Sequence, residues 1–67
     1  MENKIKLDEA WLLAIQREQE SRDFYQELRD MVKDSALKSL LTFLIEQEEN
    51  HKQLLEDEYE KIFAADD

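Results

Sequence analysis

The chain has 67 residues, which limits it to one small domain. Chains this short rarely bury enough apolar surface to fold without disulfides, a metal ion or a partner subunit. Cysteine is absent, so disulfides, iron–sulfur clusters and thiolate zinc sites are excluded. Glycine and proline are absent as well, which removes the usual residues of tight hairpins and phosphate-binding loops and favours long helices.

The chain is strongly acidic, with 18 acidic residues, 9 basic residues and a net charge of -9. This charge repels the phosphates of nucleic acids and anionic membrane surfaces, and it attracts cations. No apolar run reaches the length of a membrane span, and the first residues lack the pattern of a signal peptide. We therefore expect a cytoplasmic protein without a nucleic-acid or membrane partner.

Apolar residues recur every three or four positions over two stretches of the chain, which is the period of an amphipathic helix. The first helix is predicted over about residues 8–33, with Asp8 as its N-cap. The second helix is predicted over about residues 35–63. A cluster of short polar residues separates the two, and either Asp34 or Ser35 can cap the second helix.

The two predicted helices form a single all-α domain over residues 1–67, an antiparallel helical hairpin. Its ends, residues 1–6 and 64–67, are expected to be frayed. A lone hairpin leaves its apolar stripes in water, whereas two hairpins packed about a two-fold axis form a four-helix bundle. We therefore predict a homodimer or a higher even-numbered oligomer.

One stripe of helix-packing positions runs along each predicted helix. The first stripe consists of Trp11, Ala14, Glu18, Ser21, Tyr25, Leu28 and Val32. The second stripe consists of Leu37, Leu41, Leu44, Glu48, His51, Leu55 and Ile62. Three strongly polar side chains, Glu18, Glu48 and His51, occupy positions where apolar ones are expected. Burial of a carboxylate is costly unless another charge compensates it, so we predict a bound cation between them.

These three residues are also predicted to lie at one height. In an antiparallel hairpin that turns near residue 34, positions whose numbers sum to about 68 lie side by side. Glu18 is then level with residue 50, between Glu48 and His51, and Glu-x-x-His places a carboxylate and an imidazole on one helical face. We predict three metal ligands. The alternative is two rim carboxylates that reach solvent beside a hydrogen-bonded histidine.

Three more side chains lie near the predicted site. Tyr25 is one heptad from Glu18, where its hydroxyl can bond a ligand carboxylate or supply an electron, although a packing role is equally compatible with this spacing. Glu20 and Glu49 lie off the stripes. Glu49 is expected to face solvent, and for both glutamates a role in guiding cations competes with that of an ordinary solvated charge.

Ferritin-like and designed di-iron bundles use one glutamate from each of two helices and Glu-x-x-His from each of the other two, and this chain contains half of that set. Glu18 also begins the pattern Glu-x-x-x-x-x-Phe-Tyr-x-x-Leu, and Glu48 follows it by 30 positions. With these features, residues 8–63 resemble the rubrerythrin-like branch of the ferritin-like superfamily, in particular its two-helix members, the encapsulated ferritins.

The resemblance implies a ferritin-like four-helix bundle in which Glu18, Glu48 and His51 from two copies bind two iron ions per dimer. It implies a ferroxidase that oxidises Fe(II) with dioxygen or peroxide. The carboxylate and imidazole donors would also suit Mn or Zn. It also implies delivery of iron to an encapsulin nanocompartment. The sequence lacks the glycine- and leucine-rich tail that docks cargo in such a shell, which predicts either a truncated chain or work outside a shell.

Three functions compete at this point. The first is a dimeric di-iron oxidase. The second is a non-catalytic helical bundle that only binds divalent metal, because carboxylate and imidazole donors suit several such ions. The third is a structural hairpin without metal. Oxygen consumption after addition of Fe(II) separates the first from the second, and stoichiometric metal binding separates both from the third.

Overall fold

The computed structural model describes residues 6–64. Within this range the chain forms two α-helices of 25 residues each, α1 (Leu7–Met31) and α2 (Ser35–Tyr59), followed by a π-helical turn, Glu60–Ala64. The helices pack antiparallel, so the predicted all-α hairpin is confirmed. The expected fraying falls largely on residues outside the described range. Neither helix has the length and apolar character needed to span a membrane.

The first helix begins one residue earlier than predicted, and Asp8 is not its N-cap. Lys6 occupies the cap position with an extended backbone, and its side chain makes no capping hydrogen bond. Because Leu7 is already helical, Asp8 falls inside the first turn, where its carboxylate accepts a hydrogen bond of 2.9 Å from the Glu9 backbone N–H. Its negative charge still suits the positive end of the helix.

The two helix ends at the turn lie close to their predicted positions, whereas the far end of α2 does not. Helix α1 stops at Met31 because Val32 has an extended backbone, with φ -90° and ψ 152°. The predicted cap of the second helix is confirmed at Asp34, whose carboxylate accepts a hydrogen bond of 2.9 Å from the Leu37 N–H. The regular α-helix ends at Tyr59, earlier than predicted, and the chain continues in the wider π-helical turn.

Trp11 closes the open end of the hairpin, opposite the turn. Its indole Nε1 donates a hydrogen bond of 2.8 Å to the Leu55 carbonyl. Its ring centroid lies 5.9 Å from that of Phe63, which lies 5.3 Å from that of Tyr59. This aromatic cluster joins the start of α1 to the end of α2 and to the π-helical turn. It therefore holds the two helices together at the end opposite the turn.

The apolar core of one hairpin is small. Within residues 6–64 only Leu41 and Ile45 are buried. Ile45 was absent from the predicted stripe, although it lies one helical turn from Leu41 and from Glu48. Ten large apolar side chains in the described part of the chain remain exposed: Leu7, Leu12, Leu13, Phe24, Met31, Leu37, Leu40, Phe43, Leu54 and Ile62. A single hairpin therefore leaves much of its apolar surface in water.

Candidate metal centre

The hairpin brings together the three polar residues of the two stripes. Glu18 lies near the middle of α1, and Glu48 and His51 lie one turn apart on one face of α2. Antiparallel packing places all three at the same height, as predicted. One ligand atom from each residue can be chosen so that all three atoms lie within 4.8 Å of one another.

These side chains converge without bonding to each other. Nδ1 of His51 lies 3.6 Å from Oε1 of Glu18 and 3.6 Å from Oε1 of Glu48, beyond the length of an N–H···O hydrogen bond. Oε1 of Glu18 is inaccessible to solvent and has no hydrogen-bond partner among the described residues. An acceptor atom that is buried without a donor is unfavourable, and a cation between the three groups would satisfy it.

The site opens toward the face of the hairpin that carries His51, Leu37 and Leu40, which we call the open face. The side chains of Glu18 and Glu48 are 26% and 18% exposed, whereas the imidazole of His51 is 52% exposed. The two carboxylates are therefore partly enclosed by the helices, and the histidine lies at the rim. A second hairpin packed on this face would enclose the imidazole as well.

Glu48 raises the pKa of Glu18 above its ordinary value of 4.5. The largest cause is the hydrogen bond that a protonated Glu18 makes with Glu48, followed by burial of the carboxyl and by repulsion from the Glu48 charge. His51 acts in the opposite direction through its charge.

The raised pKa of Glu18 predicts how the metal-free protein responds to pH. The fold favours the protonated carboxyl, so the stabilising contribution is full below pH 4.5 and is lost as the pH rises through the raised pKa. Urea unfolding of the metal-free parent and of Glu18→Gln across this range measures the contribution. The parent should lose stability relative to Glu18→Gln as the pH rises. A constant difference between the two proteins would contradict the coupling of Glu18 to Glu48.

The donor set fits a divalent transition-metal ion. Carboxylate oxygens and an imidazole nitrogen bind Fe(II), Mn(II) and Zn(II), whose bonds to such donors are about 2.0 to 2.2 Å long. Donors on opposite sides of one ion are then about 4 Å apart, so small side-chain rotations would close the present 4.8 Å spread around an ion. Such an ion would also give the buried Oε1 of Glu18 the partner that it lacks among the described residues.

The remaining residues predicted near the site have different surroundings. Tyr25 is half-buried, its ring centroid lies 6.1 Å from that of Phe24, and the structure shows no hydrogen bond from its hydroxyl to Glu18. Its role at the site stays a prediction. Glu20 accepts a hydrogen bond of 3.0 Å from Gln16 on the same helix. Neither residue contributes to the three-residue cluster.

Glu49 is exposed, as expected, but it also pairs with the opposite helix. Its side chain is half exposed, but Oε2 accepts a hydrogen bond of 2.8 Å from Nε of Arg22 on the other helix. The sequence pattern did not predict this pair, nor the hydrogen bond between Lys52 and Gln19. Their signal in the sequence is slight, because long polar side chains cover the outer surface of most helices.

Comparison with known proteins identifies a family for this chain. The family model described as Rubrerythrin matches residues 2–67, which is nearly the whole chain of 67 residues. No curated protein and no solved structure shows a significant match. The three converging side chains agree with the iron binding that is typical of the family. The chain therefore belongs to the rubrerythrin family of the ferritin-like superfamily.

Proposed function

We propose that this protein is a ferroxidase-type iron-handling protein in which Glu18, Glu48 and His51 bind Fe(II) at a site shared between two copies. The observation that carries the proposal is the buried Oε1 of Glu18, which has no hydrogen-bond partner at the point where the three side chains converge. A divalent ion at that point would supply the missing positive charge. Membership of the rubrerythrin family makes iron the preferred ion.

A second copy of the chain would complete the site. Ferritin-like di-iron bundles draw ligands from four helices, and one hairpin supplies the ligands of two. The cluster lies on the open face of the hairpin, near the middle of both helices, so a two-fold axis across that face would bring two clusters together. Leu37 and Leu40 are exposed apolar side chains on that face, and their burial against a second copy would be favourable.

The proposed reaction treats Fe(II) as the substrate. Each Fe(II) gives up one electron, and dioxygen takes two electrons and two protons and leaves as hydrogen peroxide. The two carboxylates of each chain favour oxidation, because their negative charge stabilises Fe(III) more than Fe(II). The net charge of -9 raises the concentration of cations near the surface. The role of His51 is to offer a neutral nitrogen ligand at the rim of the site.

Anaerobic titration with Fe(II) tests the proposal directly. We expect saturation at about one ion per chain, hence two per dimer, because each hairpin contributes one set of three ligands. Admission of air should then consume dioxygen and give Fe(III). Saturation at one ion per dimer would indicate a mononuclear site instead, and no stoichiometric binding would leave a structural hairpin.

The same titration separates an oxidase from a metal-binding module. A module that only sequesters Fe(II), Mn(II) or Zn(II) would saturate at the same ratio but would not consume dioxygen. Membership of the encapsulated-ferritin branch and delivery of iron to an encapsulin shell stay predictions of the resemblance. They concern the fate of oxidised iron and do not affect this experiment.

A further inference from the structure

A polar network crosses between the two helices directly behind the predicted ligands. Each ligand is followed in the sequence by a residue whose side chain bonds to the opposite helix. These residues are Gln19, Glu49 and Lys52, which follow Glu18, Glu48 and His51. Other hydrogen bonds between the described parts of the helices start from Trp11, Arg29 and Lys38, but none of these residues adjoins a predicted ligand.

The network is continuous. Nζ of Lys52 donates a hydrogen bond of 2.7 Å to Oε1 of Gln19, and Nε2 of Gln19 donates one of 2.9 Å to Oδ1 of Asp23. Nη1 of Arg22 lies 3.6 Å from the same Oδ1, and Nε of Arg22 donates a hydrogen bond of 2.8 Å to Oε2 of Glu49. We call these five residues, Gln19, Arg22, Asp23, Glu49 and Lys52, the polar clasp. It joins the two helices twice.

No buried apolar side chain of the described residues lies level with the three ligands. Leu41 and Ile45 are the only buried residues within residues 6–64, and both precede Glu48 on the side of the turn. Rotation of a helix by about 10° moves a side-chain atom about 6 Å from its axis by about 1 Å. A metal site needs its ligands held more tightly than that, so another contact must limit the rotation.

We propose that the polar clasp positions the metal ligands by fixing the rotation of the two helices at the height of the site. The inference rests on the proposed metal binding and adds residues that touch no ligand atom. Surface ion pairs contribute little to folding stability, because solvent screens their charges. The clasp should therefore act on metal binding more than on the stability of the fold.

A charge exchange between Arg22 and Glu49 tests the clasp. Co(II) serves as the probe, because its visible absorption depends on the geometry of the ligands. Both Arg22→Glu and Glu49→Arg should weaken Co(II) binding about tenfold and alter the absorption spectrum. The double variant, which restores an oppositely charged pair, should bind within about threefold of the parent. Thermal unfolding of the metal-free variants should stay close to that of the parent.

The sign of the Arg22→Glu effect separates positioning from simple electrostatics. This substitution adds negative charge near a cation site, so charge alone predicts tighter binding. The clasp predicts weaker binding. Glu46→Arg is the matched control for Glu49→Arg, because Glu46 is exposed on the same helix and takes part in none of the ion pairs among the described residues. Glu46→Arg should change the affinity for Co(II) only through its added positive charge.

The outcomes distinguish the clasp from the metal site itself. Single variants that bind Co(II) as the parent does, or a double variant no better than the singles, would overturn the clasp alone. A parent chain that binds neither Co(II) nor Fe(II) would overturn the proposed function, and the positioning role with it. If circular dichroism shows that a charge-reversed variant is unfolded, Lys52→Met takes its place, since it removes the donor to Gln19 without reversing a charge.

Discussion

The substitution Glu48→Leu is expected to abolish Fe(II) oxidation while making the metal-free protein more stable. The Glu48 carboxyl is the least exposed of the three predicted ligands, and it repels the charge of Glu18. Leucine at this position would extend the apolar surface of α2 and remove that repulsion. Because the carboxyl keeps some contact with solvent, we expect a gain of about 1 to 2 kcal/mol in the free energy of unfolding.

Urea unfolding without metal and oxygen consumption with Fe(II) measure the two effects of Glu48→Leu. The control is Glu46→Leu, since Glu46 is exposed and lies outside the ion pairs seen among the described residues. Glu49→Leu would be a poor control because it breaks the bond to Arg22. The ligand assignment fails if Glu48→Leu still oxidises Fe(II) and is no more stable than Glu46→Leu.

His51→Leu provides an independent check on the same site. It removes the only nitrogen donor of the cluster and leaves both carboxylates in place. Fe(II) oxidation should be lost, as with Glu48→Leu. The gain in stability should be smaller, because the imidazole is about half exposed in the hairpin and its removal relieves less burial.

The fold was largely predictable because its determinants are local in the sequence. Apolar residues with a helical period, a polar interruption at residues 33–35 and the absence of glycine and proline leave few alternatives to a helical hairpin. The errors lie at the ends of the helices. Asp8 has the chemistry of an N-cap, but nothing in the sequence shows that Leu7 is already helical.

The candidate site was predictable because its polar residues occupy positions where apolar residues are expected. Glu18, Glu48 and His51 interrupt apolar stripes, and simple helix geometry places them at one height. The clasp was not predictable, because Arg22 and Glu49 lie on outer surfaces where polar residues are normal. Whether such side chains meet depends on the rotation and crossing angle of the helices, and these are set by packing across the whole hairpin.

The second large effect is expected from Leu37→Glu, which should prevent assembly of the dimer and thereby the completion of the metal site. Leu37 is 49% exposed and lies eleven residues before Glu48, about three helical turns, so it is on the same face as the cluster. Burial of an unpaired carboxylate in the dimer interface would cost several kcal/mol. The acidic side chain itself suits the first turn of α2, so the hairpin should remain helical.

Leu12→Glu is the matched control for this substitution. Leu12 is 47% exposed but lies about 120° around α1 from Glu18, away from the open face. Light scattering should give a dimer or a larger even-numbered oligomer for the parent and for Leu12→Glu, and a chain of 8.1 kDa for Leu37→Glu. Only the first two should oxidise Fe(II) at the full rate. A parent that is a folded monomer with metal bound, or a Leu37→Glu variant that still forms a dimer, would contradict a bundle assembled across this face.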